Sequence, residues 1–287
     1  MRRDIWALTS AMVTMGVGTL IYQGVDYDRT HPAPQVVQAQ AQDLAAAPSL
    51  RVPVASPWSP GTAVTITTTR PVPGETIQVG QCTVAYSFTA GEQAYAVTAS
   101  HCGSPGDYVW ATEDGATADF SEPVGTFTYS DLYDLETNSL DVGLIEISDA
   151  RRVMLAPDPG APTVVASDIT DLPETICKYG TTTGETCGQP LTSSGVEILA
   201  DNHGLELRAL ASTAAICARA GDSGGPVYAD LDGQRVIIGL VSGTRDAAAE
   251  HQCDAPAGPD MAMSYTAMPG ILEVIDREVP AAEYHTP

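Results

Sequence analysis

Gly221-Asp222-Ser223-Gly224-Gly225-Pro226 sets a serine among glycines, residues that let a substrate come close to the backbone. A serine hydroxyl at its free pKa is a poor nucleophile, so covalent chemistry at Ser223 needs a histidine base and a carboxylate to orient that base. The stretch "TASHC" supplies His101 and "LDVGLIEI" supplies Asp141, so the chain order is His101, Asp141, Ser223. Cys102 directly follows the histidine, and Cys217 lies shortly before the serine. Asp119, Asp131, Asp134 and Asp149 are competing aspartates of the same region, each readable as a surface carboxylate.

The hexapeptide also satisfies G-x-S-x-G, the strand-to-helix elbow of α/β-hydrolases. That fold runs Ser, then Asp or Glu, then His, and only about 64 residues follow Ser223 to bring Asp260 or Asp276 and His285 back to it. The next segment, "PVYADLDGQRVIIGLVSG", reads as two strands around an Asp232-Gly233 turn rather than as a helix. The elements that must position Ser223 are therefore strands. The 26 glycines and 21 prolines punctuate Val- and Thr-rich runs across 287 residues, which suits short strands joined by turns. In "DVGLIEI", Val142, Leu144 and Ile147 make an apolar strand that Asp141 opens. One helix is expected, in "MPGILEVIDREV", where Ile271, Leu272, Val274 and Ile275 recur at helical spacing. The fold class is all-β with a C-terminal helix.

Lys and Arg number 13 against 36 Asp and Glu, a net charge of −23. Such a surface repels phosphate backbones and anionic lipid, so no nucleic acid is expected as a partner. Its plain reading is solubility in an exposed environment; steering of basic substrates is the alternative. At the N-terminus, Arg2 and Arg3 precede a mostly apolar Ile5–Tyr22, and residues 1–30 read as a signal peptide. The nearest small-x-small site, Ala39-Gln40-Ala41, lies far beyond the apolar run, so an uncleaved signal anchor and a membrane tether remain the alternative. Residues 31–60, rich in Pro, Ala and Gln, read as a linker or short pro-segment. Export makes the six cysteines candidates for three disulfides, while the absence of any C-x-x-C pair argues against a metal site.

"TASHC", "DVGL" and "GDSGGP", in that order and flanked by cysteines, together resemble the chymotrypsin-like serine endopeptidases, and most nearly their bacterial streptogrisin and α-lytic protease branch. The resemblance runs from about Cys82 to the terminal helix. It implies two packed six-stranded antiparallel β-barrels, here residues 61–159 and 160–287, the second carrying the helix. It implies catalytic roles for His101, Asp141 and Ser223, an oxyanion hole from the N–H groups of Gly221 and Ser223, no cofactor, polypeptide substrates and a monomer. It pairs Cys82 with Cys102, Cys177 with Cys187, and Cys217 with Cys253. Asp222 needs a buried cation in the family, and Lys178 of "KYGTTTG" stands where the bacterial branch has a basic residue, usually arginine. Ser242, Gly243 and Thr244 match the strand that pairs with substrate backbone.

The resemblance implies that, with Ala218 and Arg219, they wall the pocket for P1, the residue on the acyl side of the cleaved bond. The pocket lacks the acid of trypsins, so a small or medium apolar P1 is expected, although Arg219 and Arg245 leave an acidic P1 open. Against the resembled family, "RDAAAEHQ", between Thr244 and Cys253, looks expanded. His31, His203, His251 and His285 have no such context and read as loop residues. A catalytically silent homologue acting as a surface binding protein is the alternative class; it would be expected to have lost one of the three residues. The chain should be secreted, or anchored with its catalytic domain outside.

Overall fold

The computed structural model describes residues 49–112, 117–133, 139–157, 163–169, 171–200, 206–244, 253 and 262–287. The signal segment 1–30, His31, Asp134, His203, all of "RDAAAEHQ" with Arg245 and His251, and Asp260 lie outside them.

The strands gather into two antiparallel sheets, each of which closes on itself. In the first, neighbours run Gly80–Thr83, Ala63–Thr67, Tyr108–Thr112, Gly125–Ser130, Gly143–Ile147, Gln93–Thr98 and Tyr86–Ala90. Gly80–Thr83 and Tyr86–Ala90 are consecutive pieces of one bent stretch, so the order returns to its start. In the second, the order is Gly184–Gly188, Ile176–Gly180, Pro226–Leu231, Gln234–Thr244, Met263–Ala267, Glu206–Ala214 and Pro190–Ala200. Gly184–Gly188 and Pro190–Ala200 are again continuous. Counting each bent pair as one strand leaves six per barrel, and short additions bring the sheets to eight and ten strands.

Local chemistry accounts for the turns and the strands. Leu231 pairs with Gln234 across Asp232 and Gly233, whose φ values of 53° and 81° are those of the two-residue turn that Asp-Gly favours. Val64, Val97, Val109, Phe127, Leu144 and Ile145 fill the first barrel. A second cluster, with Ile176, Ile216, Val227, Ile238 and Tyr265, fills the other.

Two features depart from the sequence reading. The linker assignment for 31–60 does not hold at its end: Leu50–Pro53 is a strand, pairing with Val165–Ala166 on one side and Tyr284–His285 on the other, and Trp58 is 1% exposed in the first barrel's core. Pro and Ala composition masked these residues, because a single large side chain and one short strand leave no periodicity. Val165 pairs with Ile237 in parallel, an exception to the otherwise antiparallel ladders.

The helix forms at Met268–Glu278, with Pro269 in its first turn, where a missing N–H costs nothing. Its buried Ile271, Leu272, Val274 and Ile275 join the core of the first barrel although the helix follows the last strand of the second. Among the described residues no helix is long and apolar enough to cross a membrane.

Candidate active site

His101 sits on a short 3-10 turn, Ser100–Cys102, directly after the strand Gln93–Thr98. Thr98 pairs with Gly143 in antiparallel register, which places Asp141 across from that turn. The side chain of Asp141 is fully buried and accepts two hydrogen bonds from the same residue: His101 N–H to Oδ1 at 3.0 Å and His101 Nδ1 to Oδ2 at 2.9 Å. His101 Nε2 lies 2.9 Å from Ser223 Oγ. A proton on Nδ1 satisfies both contacts, with Ser223 donating to Nε2. The Cys82–Cys102 disulfide ties the histidine turn to the strand Gly80–Thr83.

Ser223 belongs to the second barrel, yet the first barrel holds its loop. Thr83 N–H donates to Ser223 O at 2.8 Å and Thr83 Oγ1 to Gly221 O at 2.7 Å. Gly221 has φ +95°, a conformation costly for any residue with a Cβ. Among the described residues, neither Gly221 N–H nor Ser223 N–H has an acceptor in the protein. Two backbone donors are thus left beside Ser223 Oγ, where an oxyanion formed on attack by that oxygen would need them.

Asp222 points the other way, into the second barrel, and is fully buried. Its Oδ2 takes Lys178 Nζ at 2.8 Å, Thr183 Oγ1 at 2.6 Å and Arg219 N–H at 3.0 Å; its Oδ1 takes the N–H groups of Thr182 and Thr183, both at 3.0 Å. Five donors on one carboxylate are what a buried charge requires. Lys178, also fully buried, donates to Thr183 Oγ1 and to Gly184 O. Burial lowers its pKa from the ordinary lysine value, and the Asp222 charge partly offsets this.

Ser242, Gly243 and Thr244 end the strand Gln234–Thr244. One edge pairs with the strand Met263–Ala267, while the partner on the other edge stops at Leu240 opposite Pro226. Ser242 itself is buried, its Oγ 3.0 Å from Thr266 Oγ1, so its side chain does not face a substrate. Ala218 is buried and Arg219 exposed on the adjoining loop. A cavity of about 310 Å³ opens beside the histidine, lined by Gly80, His101, Asp107 and Tyr133.

The other disulfides join Cys177 to Cys187, directly opposite each other on neighbouring strands, and Cys217 to Cys253. Cys177, Glu185 and Cys187 are the one close grouping of metal-ligand types among the described residues, and its sulfurs are bonded to each other rather than available as thiolates. Of the competing acids, Asp119 pairs with Arg152, and Asp149 binds the Arg151 N–H. Asp131 is not a surface acid: it is 1% exposed. Sequence reasoning missed Asp131, Thr83 and Thr183. Only the repeated threonines of "KYGTTTG" hinted at the donors around Asp222.

Two six-stranded barrels, with a serine, a histidine and an aspartate hydrogen-bonded in series, define a chymotrypsin-like serine protease fold. Residues 72–265 match the Trypsin family, and the chain belongs to that family. Among solved structures, Thermobifida fusca Protease A superposes with a TM-score of 0.50 at 20% identity, covering 80% of this chain and 98% of that one. A glutamic-acid-specific serine protease, described as using a novel histidine triad in substrate binding, superposes with a TM-score of 0.50 at 19% identity, covering 76% and 96%. At these identities the likeness is one of fold. Comparison with curated proteins gives no match.

Proposed function

We propose that the protein is an exported serine endopeptidase that cleaves polypeptides through an acyl-enzyme. The observation that carries this is the series of 2.9 Å contacts from Asp141 through His101 to Ser223. Ser223 Oγ attacks the peptide carbonyl while His101 Nε2 takes its proton, and the histidine later returns that proton to the leaving amine. Asp141 keeps the imidazole in the required tautomer and stabilises its charged form. Gly221 and Ser223 N–H groups bind the oxyanion; losing one such donor costs about 10²–10³ in rate. Lys178 and its neighbours hold Asp222 in place without a newly cut N-terminus, so the hole is formed in the resting chain.

Substrate backbone adds along Gly243 and Thr244. Ala218 and the absence of an acid in Ala215–Arg219 favour a small or medium apolar P1. The acidic surface favours an exported, monomeric protein, and a membrane tether through residues 1–30 would keep the same domain outside.

Fluorophosphonate titration of the purified protein tests the reading. Stoichiometric labelling at Ser223, abolished in Ser223→Ala and His101→Ala, supports it; a folded, disulfide-intact protein that takes no label refutes it and leaves a binding protein. A P1 scan of peptide substrates then separates apolar from acidic preference.

A further inference from the structure

Asp131 is a buried carboxylate that the proposed chemistry does not use. It opens a second 3-10 turn, Asp131–Tyr133, between the strands Gly125–Ser130 and Gly143–Ile147, and its contacts converge on Asp141 from both sides. Its Oδ2 accepts the N–H of Leu140 at 2.9 Å and of Ser139 at 3.3 Å, the two residues before Asp141. Its own N–H donates to Val142 O at 3.0 Å, the residue after. One position further, Leu132 N–H donates to Ser100 Oγ at 3.1 Å, beside His101. The turn therefore braces the backbone of both members of the Asp141–His101 pair.

The carboxylate is itself fixed from a distant part of the chain. Tyr129 OH donates to its Oδ1 at 2.7 Å, and Arg277 Nη2 at 3.0 Å. Arg277 stands in the last turn of the C-terminal helix, also donates to Tyr129 OH at 2.6 Å, and pairs with Glu278 at 2.7 Å. The same helix meets the segment again at Gly270, where a Cβ would lie 3.0 Å from Leu140 Cδ1. From the second barrel, Leu210 N–H donates to Ser139 O at 2.6 Å.

We infer that Asp131, held by Arg277, is a positioning residue that sets the placement of Asp141 against His101, so that the C-terminal helix takes part in aligning the site. The inference rests on the peptidase reading. The carboxylate gathers the part-buried N–H groups of Ser139 and Leu140 on Oδ2, and on Oδ1 it is directed jointly by Arg277 and by Tyr129, which Arg277 also holds, so loss of the cation loosens both. A displacement of Asp141 by a fraction of an ångström alters the hydrogen bond to His101 Nδ1 without touching the substrate strand Ser242–Thr244. Misplacement on that scale changes turnover rather than binding, by up to about 10²-fold for 1 Å.

The test compares Asp131→Asn, Arg277→Met and Arg277→Lys with wild type in the full exported chain. It reads kcat and KM on a peptide amide, thermal midpoint, and the downfield proton resonance of His101 Nδ1–H. Positioning predicts a kcat lowered by about tenfold to a hundredfold in Asp131→Asn and Arg277→Met, KM within about twofold, a shifted or broadened resonance, and recovery in Arg277→Lys. If Asp131→Asn does not fold, Arg277→Met carries the same prediction, because that side chain is 38% exposed. An unchanged kcat and resonance in Arg277→Met, whatever the thermal midpoint, overturns the inference. A wild type that shows the resonance but neither turns over substrate nor takes the fluorophosphonate label sinks the peptidase reading instead, and the variants' resonances still decide this one.

Discussion

Lys178 and Asp222 show how much of the site depends on residues that never touch substrate. A lysine with no exposed surface is held by one carboxylate and two oxygens of the threonine segment. Removing one partner of such a pair leaves the other buried and unpaired, so Lys178→Met should destabilise the fold by about 3–5 kcal/mol in urea unfolding and abolish peptidase activity even where the protein remains folded. Because burial lowers the Lys178 pKa, its ammonium loses its proton at a pH below the ordinary lysine range, and activity should fall there. The unfolded chain holds that proton longer, so this group adds stability as pH rises through the window; the alkaline loss of activity should precede unfolding. Lys178→Arg should move that limb upward, since guanidinium stays charged, and an unmoved limb in the pH–rate profile would assign it to another group. Gly180 makes a separate check. A Cβ there would lie 2.2 Å from Asp222 Oδ1, so Gly180→Ala should lower kcat with little change in KM, measured on any cleavable peptide.

At the scale of elements, the site is a meeting of turns fixed by strand register. Thr98 opposite Gly143 determines that Asp141 faces the histidine turn, and a slip of one residue would send it to the other face. The C-terminal residues have an equally definite place: Tyr284 stacks on Phe88 with ring centroids 5.8 Å apart, and its strand pairs with Leu50–Pro53. Tyr284→Ala should therefore cost about 2–4 kcal/mol in urea unfolding while leaving the fluorophosphonate labelling rate at Ser223 unchanged under native conditions. A fall in labelling at full folding would mean that this strand reaches the site. The helix Met268–Glu278 was legible from its 3.6-residue spacing, but its seat was not, because periodicity marks an apolar face without saying what covers it.

For the whole molecule, charge and barrel placement are the relevant quantities. If the net charge of −23 steers cationic substrates, salt screens that attraction within about 8–10 Å. The value of kcat/KM for a peptide with Lys or Arg outside P1 should fall between low and physiological salt, while that for a neutral peptide of equal length stays level. Equal salt responses would show that the acidity serves solubility alone. Residue types and short spacings were enough to order His101, Asp141 and Ser223 along the chain and to mark the cysteines, the Asp-Gly turn and the helix. The family resemblance raised Lys178 as a partner for Asp222, but not its full burial. Which distant parts of the chain meet was set by folding: Thr83 on Gly221 O, Arg277 on Asp131, Leu50–Pro53 between two remote strands of its own sheet. Those contacts join positions separated by about a hundred residues or more, and local preference carries no record of them. They arise when closed barrels pack and every buried charge and backbone group must find its partner.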